Sequence, residues 1–165
     1  MNLAYISIGS NIDKQANITA CLKKLRNLCA VKEVSSVYET RPVGNKDQES
    51  FFNAALILET PLKPVKLKFT VLDAVEKELG RRRTEDKDAP RTIDLDISLF
   101  NQWTLTLGKR KIPDPEILQY PHIAIPLAEI APDYVHPITG ETLTQIAARF
   151  EKTKGVKRRD DISLE

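Results

Sequence analysis

The sequence predicts an α+β fold, a ferredoxin-like βαββαβ sandwich with an antiparallel sheet and helices packed on one of its faces. Three observations predict it. Four stretches read as strands, two amphipathic stretches read as helices, and their order is strand, helix, strand, strand, helix, strand. No repeat of fixed period interrupts this order. Residues 1–150 form one domain in this reading, and 151–165 form a charged tail expected to fray, with no part in the fold given to Leu164 and Glu165.

Each element follows from its residues. "LAYISIG" alternates Leu3, Tyr5 and Ser7 against Ala4, Ile6 and Ile8 and ends at a Gly-Ser-Asn turn signal. Ile18, Leu22, Leu25 and Cys29 recur at helical spacing from about residue 14 to 29, with Asn11 or Asp13 as the cap. "AVKEVSSVYET" is β-branched and aromatic, "RPVGNKDQES" has loop composition, and "FFNAALILE" is a buried strand. After Pro61 and Pro64, the positions Phe69, Leu72, Val75 and Leu79 predict a second helix closed by Gly80. "RTIDLDISLF" is the fourth strand, followed by Pro-rich turns over 113–137 and a short helix near 142–150.

Composition narrows the function. The chain has 41% hydrophobic and 29% charged residues, so it can bury a core. Its 25 basic residues against 23 acidic ones argue against bulk capture of nucleic acid or membrane. The N-terminus lacks the basic and apolar regions of a signal peptide, and no apolar run reaches membrane-span length. Cys21 and Cys29 lie about 12 Å apart along one helix, too far for a disulfide. These features predict a cytoplasmic monomer with reduced thiols, whose function comes from a local site.

The local signal is "GRRRTEDKDAPRTIDLDISLF". On a strand, Thr92, Asp94, Asp96 and Ser98 point one way and Ile93, Leu95, Ile97 and Leu99 the other. Two carboxylates on one face repel each other unless a cation sits between them, and Mg²⁺ held by carboxylates and phosphate oxygens suits that place. Arg81, Arg82, Arg83 and Arg91 supply the positive charge that phosphoryl-type transfer needs. A solvated basic loop ahead of a half-buried strand accounts for the same residues without a site. RNA binding, suggested by the "RRR" and "KRR" runs, fits poorly with aspartates on the central strand's polar face.

"PRTIDLDI", with "YISIGSN", "SSVYET", "FFNAALILET" and "PLAEIAP" in the same order, resembles the 6-hydroxymethyl-7,8-dihydropterin pyrophosphokinase family over residues 3 to 150. The resemblance implies transfer of pyrophosphate from ATP to a pterin alcohol, with small-molecule pterin and ATP as the partners. It implies Asp94 and Asp96 as ligands of two Mg²⁺ ions, and Arg81 and Arg91 as the catalytic arginines. Glu76, Arg83 and Lys109 fall on the nucleotide side. Thr40, Val43, Phe51, Asn53 and His122 fall on the pterin side. Four positions depart from the family pattern. Asp114 replaces a phosphate-contacting His and is expected to repel ATP. Tyr120 replaces an Arg, His122 an aromatic ring, and Asp88 a loop Trp. Arg82, Lys109 or Arg110 are candidates to restore the lost charge. A paralogue acting on another alcohol and an inactive pterin-binding module are the alternatives.

Overall fold

A computed structural model of the chain describes residues 1–41, 48–82 and 89–164. Val43, Arg83 and Asp88 therefore lie outside the described residues. The element order is β1 (Asn2–Ser10), α1 (Lys14–Leu28), β2 (Ala30–Val34), β3 (Val37–Thr40) and β4 (Phe51–Thr60). Then come α2 (Pro64–Lys66), a π-helical turn (Leu67–Leu72), α3 (Asp73–Glu78) and β5 (Asp94–Phe100). The hairpin β6 (Leu105–Leu107) and β7 (Arg110–Ile112), a 3-10 turn (Pro115–Leu118), α4 (Pro121–Ile130), α5 (Leu143–Ala148) and β8 (Val156–Arg159) complete it.

The main sheet is antiparallel and six-stranded in the order β5-β1-β4-β3-β8, with β2 also paired to β4. The expected second strand is thus two, β2 and β3, broken at Ser35 and Ser36, where Ser35 Oγ accepts the Ala55 N–H at 2.8 Å. Its central order is the βαββαβ arrangement that the sequence predicts.

Both faces of the sheet are covered, which corrects the expectation of helices on one face. Ala4, Ile6 and Ile8 pack with Ile18, Leu22, Leu72 and Val75 on one side. Tyr5, Ala55 and Ile57 pack with Ala124, Leu127, Leu143 and Ile146 of α4 and α5 on the other. The region 113–137 contains a helix that its prolines disguised. Pro121 stands at the first helical turn, where no N–H partner is lost, and Pro126 lies inside α4.

Two local irregularities change which residues face inward. The pairing of β1 with β5 slips between Tyr5 and Ile6, so Ser98 is an extra residue on β5. Leu99 consequently joins the α4–α5 side while Ile93, Leu95 and Ile97 stay on the α1 side, not all on one face as alternation predicts. The π-helical turn does the same to the second helix. Leu67, Lys68 and Leu72 are buried there, whereas Phe69, expected inside, is 53% exposed.

The tail does not fray. Val156–Arg159 pairs with Val37–Thr40, Arg159 binds Glu39 at 2.9 Å and lies over the Phe52 ring at 5.4 Å, and Leu164 is buried in the α1-side core. The charged composition hid this because the strand's charges are paired with its neighbours. Removing residues 156–165 is expected to lower unfolding free energy by about 2 kcal/mol or more through Leu164 and the lost ladder. Urea denaturation of the shortened chain measures it, and an unchanged midpoint would refute a structural tail. Cys21 and Cys29 are both free, as expected.

Candidate active site

The N-terminal end of β5, the C-terminal end of β1 and the start of β4 form one row across the sheet. Asp94 lies opposite Gly9, and Gly9 lies opposite Asn53. The next row holds Asp96, Ser7 and Ala55. Adjacent strands are about 4.8 Å apart, so Asp94 and Asn53 stand about 10 Å from each other on the same face. The two aspartates share that face, two residues apart, as the sequence predicts.

The segment before β5 is fastened by the end of β1. Asn11 Oδ1 accepts the Arg91 N–H at 2.8 Å, the Asn11 N–H donates to the Arg91 carbonyl at 3.1 Å, and Ser10 Oγ donates to the Thr92 carbonyl at 2.5 Å. Ser10 was legible only as a turn signal and Asn11 also as a candidate cap of α1, a place that Asp13 takes. Here they hold the Pro-Arg-Thr segment against the sheet.

Cations surround the carboxylates. Arg81 Nη1 donates to Asp94 Oδ1 at 2.6 Å and Arg91 Nη1 to Asp94 Oδ2 at 2.7 Å. Burial alone would push the Asp94 carboxyl up, but the Arg81 and Arg91 guanidiniums more than offset it and hold it low. Asp96 is pushed up by burial and by its neighbour Asp94. Its cations among the described residues, Lys68 and Arg110, stand at 3.4 Å.

Lys68 was not singled out from the sequence, because a lysine among apolar helical positions reads as a solvated residue. It is 7% exposed. Its Nζ donates to the Leu95 carbonyl at 2.6 Å and faces Asp73 at 3.2 Å and Glu76 at 3.8 Å. Glu76, 2% exposed, accepts the Leu95 N–H at 3.3 Å and the Arg81 guanidinium at 3.3 Å. Burial pushes the Glu76 carboxyl up, and Lys68 and Arg81 counter it. Glu76 therefore braces Arg81 and the β5 backbone from beneath.

On the other half of the row, Thr40 Oγ1 donates to Asn53 Oδ1 at 2.6 Å, which orients the amide and leaves Nδ2 as the outward donor. A Cβ on Gly9 would lie 3.2 Å from Asn53 Nδ2, so glycine is what lets that amide sit over β1. Phe51 opens β4 two residues before Asn53, with the Arg91 guanidinium 5.9 Å from its ring centre. His122 stands in the first turn of α4, its ring stacked on Tyr120 at 5.3 Å, and burial pushes it down to about 4, so it is neutral near pH 7. Lys109 is exposed in the turn between β6 and β7, and Arg110 beside it is the cation that reaches Asp96.

The donor set suits a hard cation. Asp94 and Asp96 offer oxygen ligands, and Asp96 is a partly buried carboxylate whose Lys68 and Arg110 partners stand no nearer than 3.4 Å. Among the described residues no group of three or more His, Cys, Asp or Glu forms a protein cage. Mg²⁺ typically takes one or two carboxylates and completes its shell with phosphate and water.

The family described as 7,8-dihydro-6-hydroxymethylpterin-pyrophosphokinase (HPPK) matches residues 5–132. The chain belongs to this family. The 2-amino-4-hydroxy-6-hydroxymethyldihydropteridine pyrophosphokinase of Bacillus subtilis is 38% identical over 156 residues, 93% of this chain and 92% of that protein. The folic acid synthesis protein fol1 of Pneumocystis carinii is 37% identical over 150 residues, 90% of this chain and 20% of that protein. Among solved structures, the Plasmodium falciparum HPPK-DHPS with pteroate superposes with a TM-score of 0.72 at 13% identity, over 95% of this chain and 45% of that one. This chain thus spans a fifth of the fol1 protein and under half of the HPPK-DHPS chain, but nearly the full Bacillus HPPK. Among the described residues no helix is long and apolar enough to cross a membrane.

Proposed function

We propose that this chain transfers pyrophosphate from ATP to the hydroxymethyl group of 6-hydroxymethyl-7,8-dihydropterin, releasing AMP, as a step of folate biosynthesis. The observation that carries this reading is the single row of Asp94, Gly9 and Asn53. Asn53 and Asp94 stand on one face of that row and Asp96 in the next, so a two-ring heterocycle lying over Gly9 would turn its polar edge to Asn53 and its alcohol arm towards the aspartates.

Each side chain then has a task. Asn53, held by Thr40, reads the polar edge of the pterin, and Phe51 and His122 offer flat surfaces to its faces. Val43 is assigned to the same pocket through its backbone. Arg81 and Arg91 stand where charge develops on the transferred group and on the departing AMP, and they are already oriented by Asp94 and Glu76. Arg83 and Lys109 are assigned to the nucleotide. Mg²⁺, two ions in this reading, would be held by Asp94 and Asp96 and would supply the further positive charge that the triphosphate requires. Attack by the pterin hydroxyl on the β-phosphorus of ATP needs no protein nucleophile.

The test is AMP release from Mg²⁺ and ATP with and without the pterin. Pterin-dependent AMP supports the reading. No AMP, with the pterin still bound in a titration, would replace it by another acceptor alcohol or an inactive binding protein. A second expectation arises at Gly9. Gly9→Ala should weaken pterin binding about tenfold by displacing the Asn53 amide, with nucleotide binding unchanged. Titration of both ligands checks it, and equal effects on the two would refute the local cause.

A further inference from the structure

Asp114 is not the isolated negative charge that its place in the sequence suggests. It is 7% exposed. Its Oδ1 accepts the Glu116 N–H at 2.9 Å, and its own N–H donates to the Ser98 carbonyl at 2.9 Å, so the residue is fixed beside β5. Its Oδ2 faces Arg110 Nη1 at 3.6 Å, and the same nitrogen stands 3.4 Å from Asp96 Oδ1. The Arg110 side chain is 50% exposed. One end of the guanidinium is thus anchored between the buried Asp114 and the partly buried Asp96 while the rest opens to solvent beside the candidate metal ligands.

We propose that Asp114 is a positioning residue, which holds Arg110 beside Asp96 so that its outward donors take a phosphate of the nucleotide. This rests on the reading of the site as one for ATP. The physical reason is preorganisation. An arginine carries about 2 kcal/mol of rotamer entropy, which an unanchored side chain must lose on meeting its ligand. Contacts of 3.4 and 3.6 Å are ion pairs longer than hydrogen bonds, so they orient the planar fork without saturating its five donors. A cation held by Asp96 would loosen its hold on Arg110, and Asp114 would then keep the arginine in place.

The sign of one substitution tests this. Bare electrostatics says that neutralising a carboxylate near a polyanion strengthens binding. The positioning role says the opposite. Asp114→Asn retains the size of the side chain and an oxygen for the Glu116 N–H, so the fold is kept, and a melting curve verifies it. Binding is measured by calorimetry with Mg²⁺ and the α,β-methylene analogue of ATP, and turnover is measured alongside. Asp114→Asn should weaken analogue binding and raise KM for ATP about tenfold, with kcat little changed. In an Arg110→Ala background, which itself weakens binding, the same substitution should no longer weaken it. A wild-type chain that binds no analogue overturns the functional reading and this inference with it. A wild-type chain that binds the analogue, with Asp114→Asn unchanged or tighter, overturns this inference alone, as does undiminished weakening in the Arg110→Ala background.

Discussion

Asp96→Ala is expected to lower pterin-dependent AMP release by about a thousandfold or more, the scale of losing several kcal/mol of charge stabilisation. The same substitution should leave the unliganded protein at least as stable as before. Burial and the Asp94 charge both disfavour an ionised Asp96, so that carboxylate opposes folding at neutral pH, as functional carboxylates often do. Lys68 loses one partner but keeps the Leu95 carbonyl, Asp73 and Glu76. The pair of results is diagnostic: turnover, Mg²⁺ titration and thermal unfolding of one variant separate a ligand from a structural residue. Activity above a tenth of wild type would remove Asp96 from the metal site.

Lys68→Met is expected to destabilise the protein by about 3 kcal/mol, the scale found when one partner of a buried ionic group is deleted. The methionine fills the space of the stem but leaves Glu76 and Asp96 facing each other with less positive charge, and it leaves the Leu95 carbonyl without its donor. The loss should be larger than that for Lys24→Met on α1, whose ion pair with Glu78 is exposed. Urea denaturation of both variants checks the contrast. Equal losses would mean that Lys68 is an ordinary surface lysine in solution.

The sequence showed the strands and the site at different depths. Asp94 and Asp96 were legible because the alternation of Ile93 and Leu95 sets their face whatever the rest of the chain does. Arg81 and Arg91 were legible as positive charge ahead of the aspartates, Phe51, Asn53 and Thr40 came from the family resemblance, and the fold brings Asp94 and Asn53 onto one row. Lys68 and the Arg110–Asp114 pair were not legible as neighbours of Asp96. Their roles depend on one extra residue in a π-helical turn and on where a short hairpin lands, and neither leaves a period in the sequence. Helix α4 was missed because Pro121 and Pro126 read as turn residues, although proline at a first helical turn removes no hydrogen bond. The tail was missed because its charges, seen alone, look solvated, whereas Arg159 pairs with Glu39 on β3 as well as with Asp161 of the tail itself.

Strand β5 lies at the rim of the sheet, where an open backbone invites pairing with another chain. Three of its peptide groups are answered instead by side chains: Glu76 takes the Leu95 N–H, Lys68 the Leu95 carbonyl and Arg81 the Ile93 carbonyl. The residues that brace the candidate site therefore also occupy backbone groups that pairing with another strand would need.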